Sequence, residues 1–108
     1  MNPRLIVIAS APAASQRYEH ALELAMALND ASLEVVVFID GEAREALLAL
    51  ASDPESVFVR KLSQLELMGI PCVMAGTGLQ VSPLAFITLE DENALRALLR
   101  SAVKTVVF

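Results

Sequence analysis

The chain holds one cysteine, Cys72, and one histidine, His20, so any thiol or imidazole chemistry must be built on those two side chains. Cys72 lies just ahead of a glycine-rich turn, Gly76-Thr77-Gly78, in the stretch Gly69 to Leu79. A thiol acts as nucleophile or sulfur carrier only as an accessible thiolate, and burial in apolar surroundings raises its pKa and silences it. Cys72 stands between Pro71 and Val73 in a run that reads as a covered strand, so the expectation is a small buried hydrophobe. The alternative is an accessible, reactive Cys72.

The turn offers a second kind of chemistry. Backbone N–H groups at Gly76 and Gly78 and the hydroxyl of Thr77 are suitable donors to an anion or small ligand. A lone Gly-x-Gly is weak evidence, however. It opens no long helix and completes neither a dinucleotide fingerprint nor a phosphate-binding P-loop. Ser10, in the loop Ser10 to Ser15, is a further ligand candidate, because a serine-bearing loop feeding a helix can hold phosphate. With no glycine in that loop, helix capping is the expected use. His20 sits beside Glu19 and Glu23 on a helix, and nothing in the spacing ties it to Cys72. No His/Cys cluster has metal-ligand spacing, so neither a metal site nor a cofactor is expected.

These residues must be positioned by a single domain covering 1–108, a size that buries about two-thirds of its unfolded surface without a disulfide or metal. A lone cysteine suits a reducing compartment, and the expected location is cytoplasmic. The start, Met1-Asn2-Pro3-Arg4, runs straight into a strand-like segment and suggests no signal peptide. No apolar run approaches the roughly 18 residues of a membrane span. The net charge of −5 offers no basic patch for a nucleic-acid backbone. An apolar content of 56% is high for so small a chain and points to subunit contacts.

Two continuous β-branched runs, Leu5 to Ala9 and Leu33 to Ile39, suit strands covered on both faces of a parallel sheet. Ser15 is placed to cap a helix reaching Asn29, with Tyr18, Leu22, Ala25 and Leu28 on its inner face. Asp40 can cap a second helix with Ala43, Ala46, Leu47 and Leu50 inward. Asp53 followed by Pro54 predicts the start of a third, with Phe58, Leu62 and Leu65 inward and Gly69 closing it. A third strand follows over Ile70 to Ala75. Leu84 to Ile87 is expected as a short fourth strand, irregular or unusually paired because its connection is shorter than a normal parallel crossover. Thr88 to Asp91 reads as a capping box for a helix bearing Leu95, Leu98, Leu99 and Ala102. Val106 to Phe108 reads as a last strand. The fold class is α/β, a three-layer α/β/α sandwich with a mostly parallel sheet of about five strands.

Taken together, Ser10-Ala11-Pro12 with Arg17, Glu19 and Ala21-Leu22, then Phe38-Ile39-Asp40-Gly41, then Leu65 to Ile70, and finally Arg96…Leu99 followed by Val103 to Phe108, resemble the DsrE/DsrF family of sulfur-relay proteins. The pattern looks nearest to the TusC/DsrF branch, whose tRNA-thiolation relatives form the TusBCD complex. The resemblance implies trimers or hexamers of like or related subunits, while the charge and the lack of a long apolar run argue against a direct nucleic-acid or membrane partner. It also implies a persulfide-carrying cysteine at the end of the third strand. Counted from Gly69, and again back from Leu79, that position is Ala75, and Cys72 falls three residues early. The expected role is therefore a non-catalytic or accessory subunit in intracellular sulfur transfer, acting through oligomer contacts and a small pocket at the 75–79 turn. A sulfurtransferase using Cys72 is the alternative, and a flavodoxin-like anion or nucleotide binder using both loops is a third reading.

Overall fold

The computed structural model describes residues 4–12, 14–53 and 55–108. Their order is β1 (Arg4–Ala9), α1 (Gln16–Asp30), β2 (Glu34–Ile39), α2 (Gly41–Leu50), α3 (Val57–Leu67), β3 (Cys72–Ala75), β4 (Ile87–Glu90), α4 (Glu92–Ser101) and β5 (Lys104–Val107). The five strands form one sheet in the order β4-β3-β2-β1-β5, and every neighbouring pair is parallel. The expected α/β class is what the chain adopts.

The two-residue period of a strand sorts the side chains between two cores. Val7, Ala9, Val35, Val37, Ile39, Cys72, Met74 and Ile87 face one side, where they pack with the buried residues of α1, α2 and α3. Ile6, Val36, Phe38 and Val73 face the other, where Leu95 of α4 meets them. This division follows from strand order. From β1 through β2 and β3 to β4 the sheet grows in one direction, so the helices between those strands share a face. The return from β4 to β5 passes the other way, and α4 crosses the opposite face alone.

The helix ends use local chemistry. The Ser15 hydroxyl accepts from the Tyr18 N–H at 3.2 Å, as expected of an N-cap. Gly69, at φ +73°, closes α3, with its N–H on the Glu66 carbonyl and that of Ile70 on the Leu65 carbonyl. That pair of bonds satisfies two carbonyls the helix would otherwise leave orphaned.

Several boundaries differ from the sequence reading. Helix α3 starts after Ser56, whose hydroxyl accepts from Val59 N–H at 3.3 Å. The Asp53 carboxylate is used earlier, accepting from Glu55 N–H at 3.0 Å in a turn of its own. Pro54, assigned to the first helical position, lies outside the described residues, as does the leader Met1 to Pro3. The fourth strand is displaced from 84–87 to Ile87–Glu90, and it is a regular parallel partner of β3. Leu84 and Phe86 anchor the preceding loop on the three-helix core instead, along with Leu79. Packed apolar side chains thus replace a crossover helix. Thr88 to Glu90 therefore belongs to the strand rather than to a capping box, and Asp91 alone caps α4, accepting from Ala94 N–H at 2.7 Å. The last strand begins at Lys104 rather than Val106.

Candidate functional site at the carboxyl end of the third strand

Ligands in open parallel sheets collect outside the carboxyl ends of strands, where neighbouring connections depart to opposite faces. Here that place is between β3 and β4. The chain leaving β3 folds over the three-helix face through Leu79, Leu84 and Phe86, while the chain leaving β4 enters α4 on the other face. A crevice of about 460 Å³ opens between them, lined by Gly76, Thr77, Gln80 and the acidic run Glu90 to Glu92. The turn singled out in the sequence is therefore one wall of a real depression.

Its polar groups are partly committed. Gly76 N–H donates to the Glu90 carbonyl at 3.0 Å, and Leu79 N–H to the Gly76 carbonyl at 2.9 Å. The carbonyls of Ala75 and Thr77 accept from Arg44, whose Nη2 donates at 3.2 and 2.8 Å respectively. Nε of the same guanidinium lies 3.4 Å from the Ala75 oxygen. Three carboxyl-bearing residues on the far wall oppose an anion, although Asp91 is engaged as a helix cap and Glu92 in a pair with Arg96. Sequence reasoning missed Arg44. It reads as an ordinary polar position of α2, and only the adjacency of β2 and β3 brings α2 over the end of β3.

Ser10 sits at the carboxyl end of β1, two strands away from the turn. With adjacent strands about 4.8 Å apart, that places it about 10 Å off across the sheet. Its hydroxyl donates to the Phe108 carbonyl at 2.7 Å, and its N–H donates to the same oxygen at 2.9 Å. Its own carbonyl accepts from Glu42 N–H at 3.2 Å. Gly41, at φ +51°, passes directly over it, and a Cβ there would lie 3.2 Å from the Ser10 oxygen. Ser10 thus ties β1 to the end of the chain and to the entry of α2, and it does not line the crevice. His20 is exposed on α1.

Cys72 stands at the opposite end of β3. It is 1% exposed, paired in register with Val37 and Ile87, and its side chain lies in the three-helix core. Burial pushes the thiol up to about 12. The Sγ–Ile70 carbonyl contact, at 3.7 Å, is its one polar partner among the described residues. Tyr18, also in that core, is stacked on Phe58 with ring centroids 4.9 Å apart. Its hydroxyl is buried without a hydrogen-bond partner among the described residues, and burial first and the neighbouring Cys72 second push the phenol above its ordinary range. Ala75, by contrast, is at the crevice end, registered with Glu90. Three residues of strand separate the two positions by about 10 Å and place them on opposite faces.

The arrangement defines an all-parallel five-stranded α/β protein with a crevice at the β3/β4 carboxyl end and no thiol there. The fold matches the crystal structure of the YchN protein from E. coli with a TM-score of 0.74, over 100% of both chains at 24% sequence identity. No protein-family model matches the sequence, and no curated protein matches it closely. No helix among the described residues is long and apolar enough to cross a membrane.

Proposed function

We propose that this chain is an accessory, DsrE/DsrF-like subunit of intracellular sulfur transfer, one that assembles with copies of itself or related chains and does not itself carry sulfur. Two observations support membership: the strand-end and helix patterns in the sequence, and the fold shared with YchN, a DsrE/DsrF-like protein. The observation that carries the non-catalytic reading is the separation of thiol and crevice. Alanine occupies position 75, where the resemblance puts the sulfur-bearing cysteine, and the protein's one cysteine is buried at the other end of β3. A persulfide carrier must expose its sulfur to donor and acceptor in turn, and a buried thiol with a raised pKa does neither.

Mass spectrometry after incubation with a polysulfide donor tests the reading. The native protein should gain no sulfur, while Ala75→Cys, which restores a thiol at the half-buried strand end, should gain one. A one-sulfur adduct on the native protein that Cys72→Ser abolishes would overturn the accessory role and favour a sulfurtransferase.

A further inference from the structure

The three-helix face is not covered evenly out to its β5 edge. By register Lys104 stands beside Leu5 and Val106 beside Val7, so the two-residue period puts these four side chains on that face. Helix α1 packs chiefly on β1 and β2. Between α1 and β5 an apolar slot of about 280 Å³ is left, with Leu5, Val7 and Val106 as its floor, Leu24 and Leu28 as one wall, and Lys104 at its edge. The β1 backbone beneath is paired with strands on both sides, so it offers the slot no free polar group. Its charge sets the slot apart. The crevice at the end of β3 carries Glu90, Asp91 and Glu92, a cleft beside α4 carries Glu34 and Glu90, and a groove between α1 and α3 carries Glu19 and Glu23. Among the described residues no carboxylate lines the slot, and Lys104 takes part in no ion pair.

We propose that the slot binds a small linear amphiphile with an anionic head, a carboxylate on a saturated chain of about eight carbons. The chain is selected by the floor and wall, which offer apolar contact and no hydrogen-bond partner. The head is selected by Lys104. A lysine can lay its apolar stem along such a wall and keep its ammonium at the mouth, where a carboxylate accepts a charge-assisted hydrogen bond. In a chain of net charge −5, an anion finds few cavities free of opposing carboxylates, and this one supplies a cation as well. The length follows from the volume. At about 30 Å³ per non-hydrogen group, the share of one water in the liquid, the slot holds about nine groups. It falls short of the roughly 300–1,000 Å³ of drug-sized ligand sites and is too small for a nucleotide or a flavin.

Isothermal titration calorimetry of the full chain with sodium octanoate tests it. Octanoate should bind saturably at one site per chain, and hexanoate should bind about 15-fold more weakly, because each buried methylene is worth about fourfold. Lys104→Glu, at an exposed position, should weaken octanoate by about tenfold or more while leaving the binding of uncharged 1-octanol unchanged. Val106→Phe fills the slot and should abolish the binding of both. Val107→Phe, on the opposite face of the same strand, should change neither. Circular dichroism melts matching the parent show that each variant is folded. The absence of saturable octanoate binding at millimolar concentration, from a slot that is closed or covered by another subunit, overturns the assignment. So does octanoate binding that survives Val106→Phe, or that is unaltered by Lys104→Glu or by the loss of two methylenes, since a general apolar surface would behave in that way.

Discussion

Cys72 labelling offers the sharpest test of the account. The side chain is 1% exposed and lies within the core under three helices, so an alkylating reagent cannot reach Sγ in the native state. Reaction must then proceed through opening, at the intrinsic rate of a free thiol multiplied by the fraction of open molecules. For a domain with a stability of about 5 kcal/mol, that fraction is about 2 × 10⁻⁴, a slowing of about 5,000-fold relative to the unfolded chain. Direct reaction without opening would be suppressed separately, because a thiol at about 12 is ionised at pH 8 in only about one molecule in 10⁴. The assay is iodoacetamide labelling followed by intact mass, at several sub-denaturing urea concentrations. The rate should rise with urea in parallel with the equilibrium unfolding constant. A native rate within about tenfold of the unfolded chain's, with no urea dependence, would refute the burial of Cys72 and reopen it as a sulfur carrier.

Arg44→Ala removes the guanidinium that links α2 to the Ala75 and Thr77 carbonyls. It should lower urea-determined stability by about 1–2 kcal/mol, because charge-assisted bonds at a partly solvated turn are worth about that much. Amide exchange should quicken at Gly76 to Gly78. Tyr18→Phe deletes a buried hydroxyl with no partner among the described residues and should be neutral or stabilising by about 1 kcal/mol, whereas a clear loss of stability would show that the hydroxyl has a partner. Alkali should destabilise the fold partly through Cys72. Its native pKa lies above that of the unfolded chain, so its contribution is complete below about pH 9. It falls by about 1.4 kcal/mol per unit as pH rises towards 12. Comparing the pH slopes of the parent and Cys72→Ala isolates that share; equal slopes would contradict the shift.

Much of the architecture is legible in the residues because it is local. The β-branched runs of β1 and β2, the Ser15 cap and the Gly69 stop each depend on a few adjacent side chains. The misplaced elements share a cause. Leu84 and Phe86 look like strand residues because they are apolar, yet they serve as partly buried loop anchors against helices distant in sequence. Thr88 and Glu90 look like cap residues because they are polar, yet they lie on an edge strand where polarity is tolerated. Asp53 and Ser56 compete as helix caps a turn apart, and Ser56 is the one that caps.

The candidate site divides in the same way. The sequence by itself determined that Cys72 and position 75 cannot share a place, since three strand residues set both a distance and a change of face. It also marked 76–78 as a turn, through glycine. Only the tertiary structure decided what surrounds that turn. Strand order puts α2 over the end of β3 and delivers Arg44 to its carbonyls, and the departure of α4 to the opposite face opens the crevice and lines it with Glu90 to Glu92. Those neighbours are separated along the chain by whole elements, so their meeting depends on how the sheet is ordered, and no local spacing of residues encodes it.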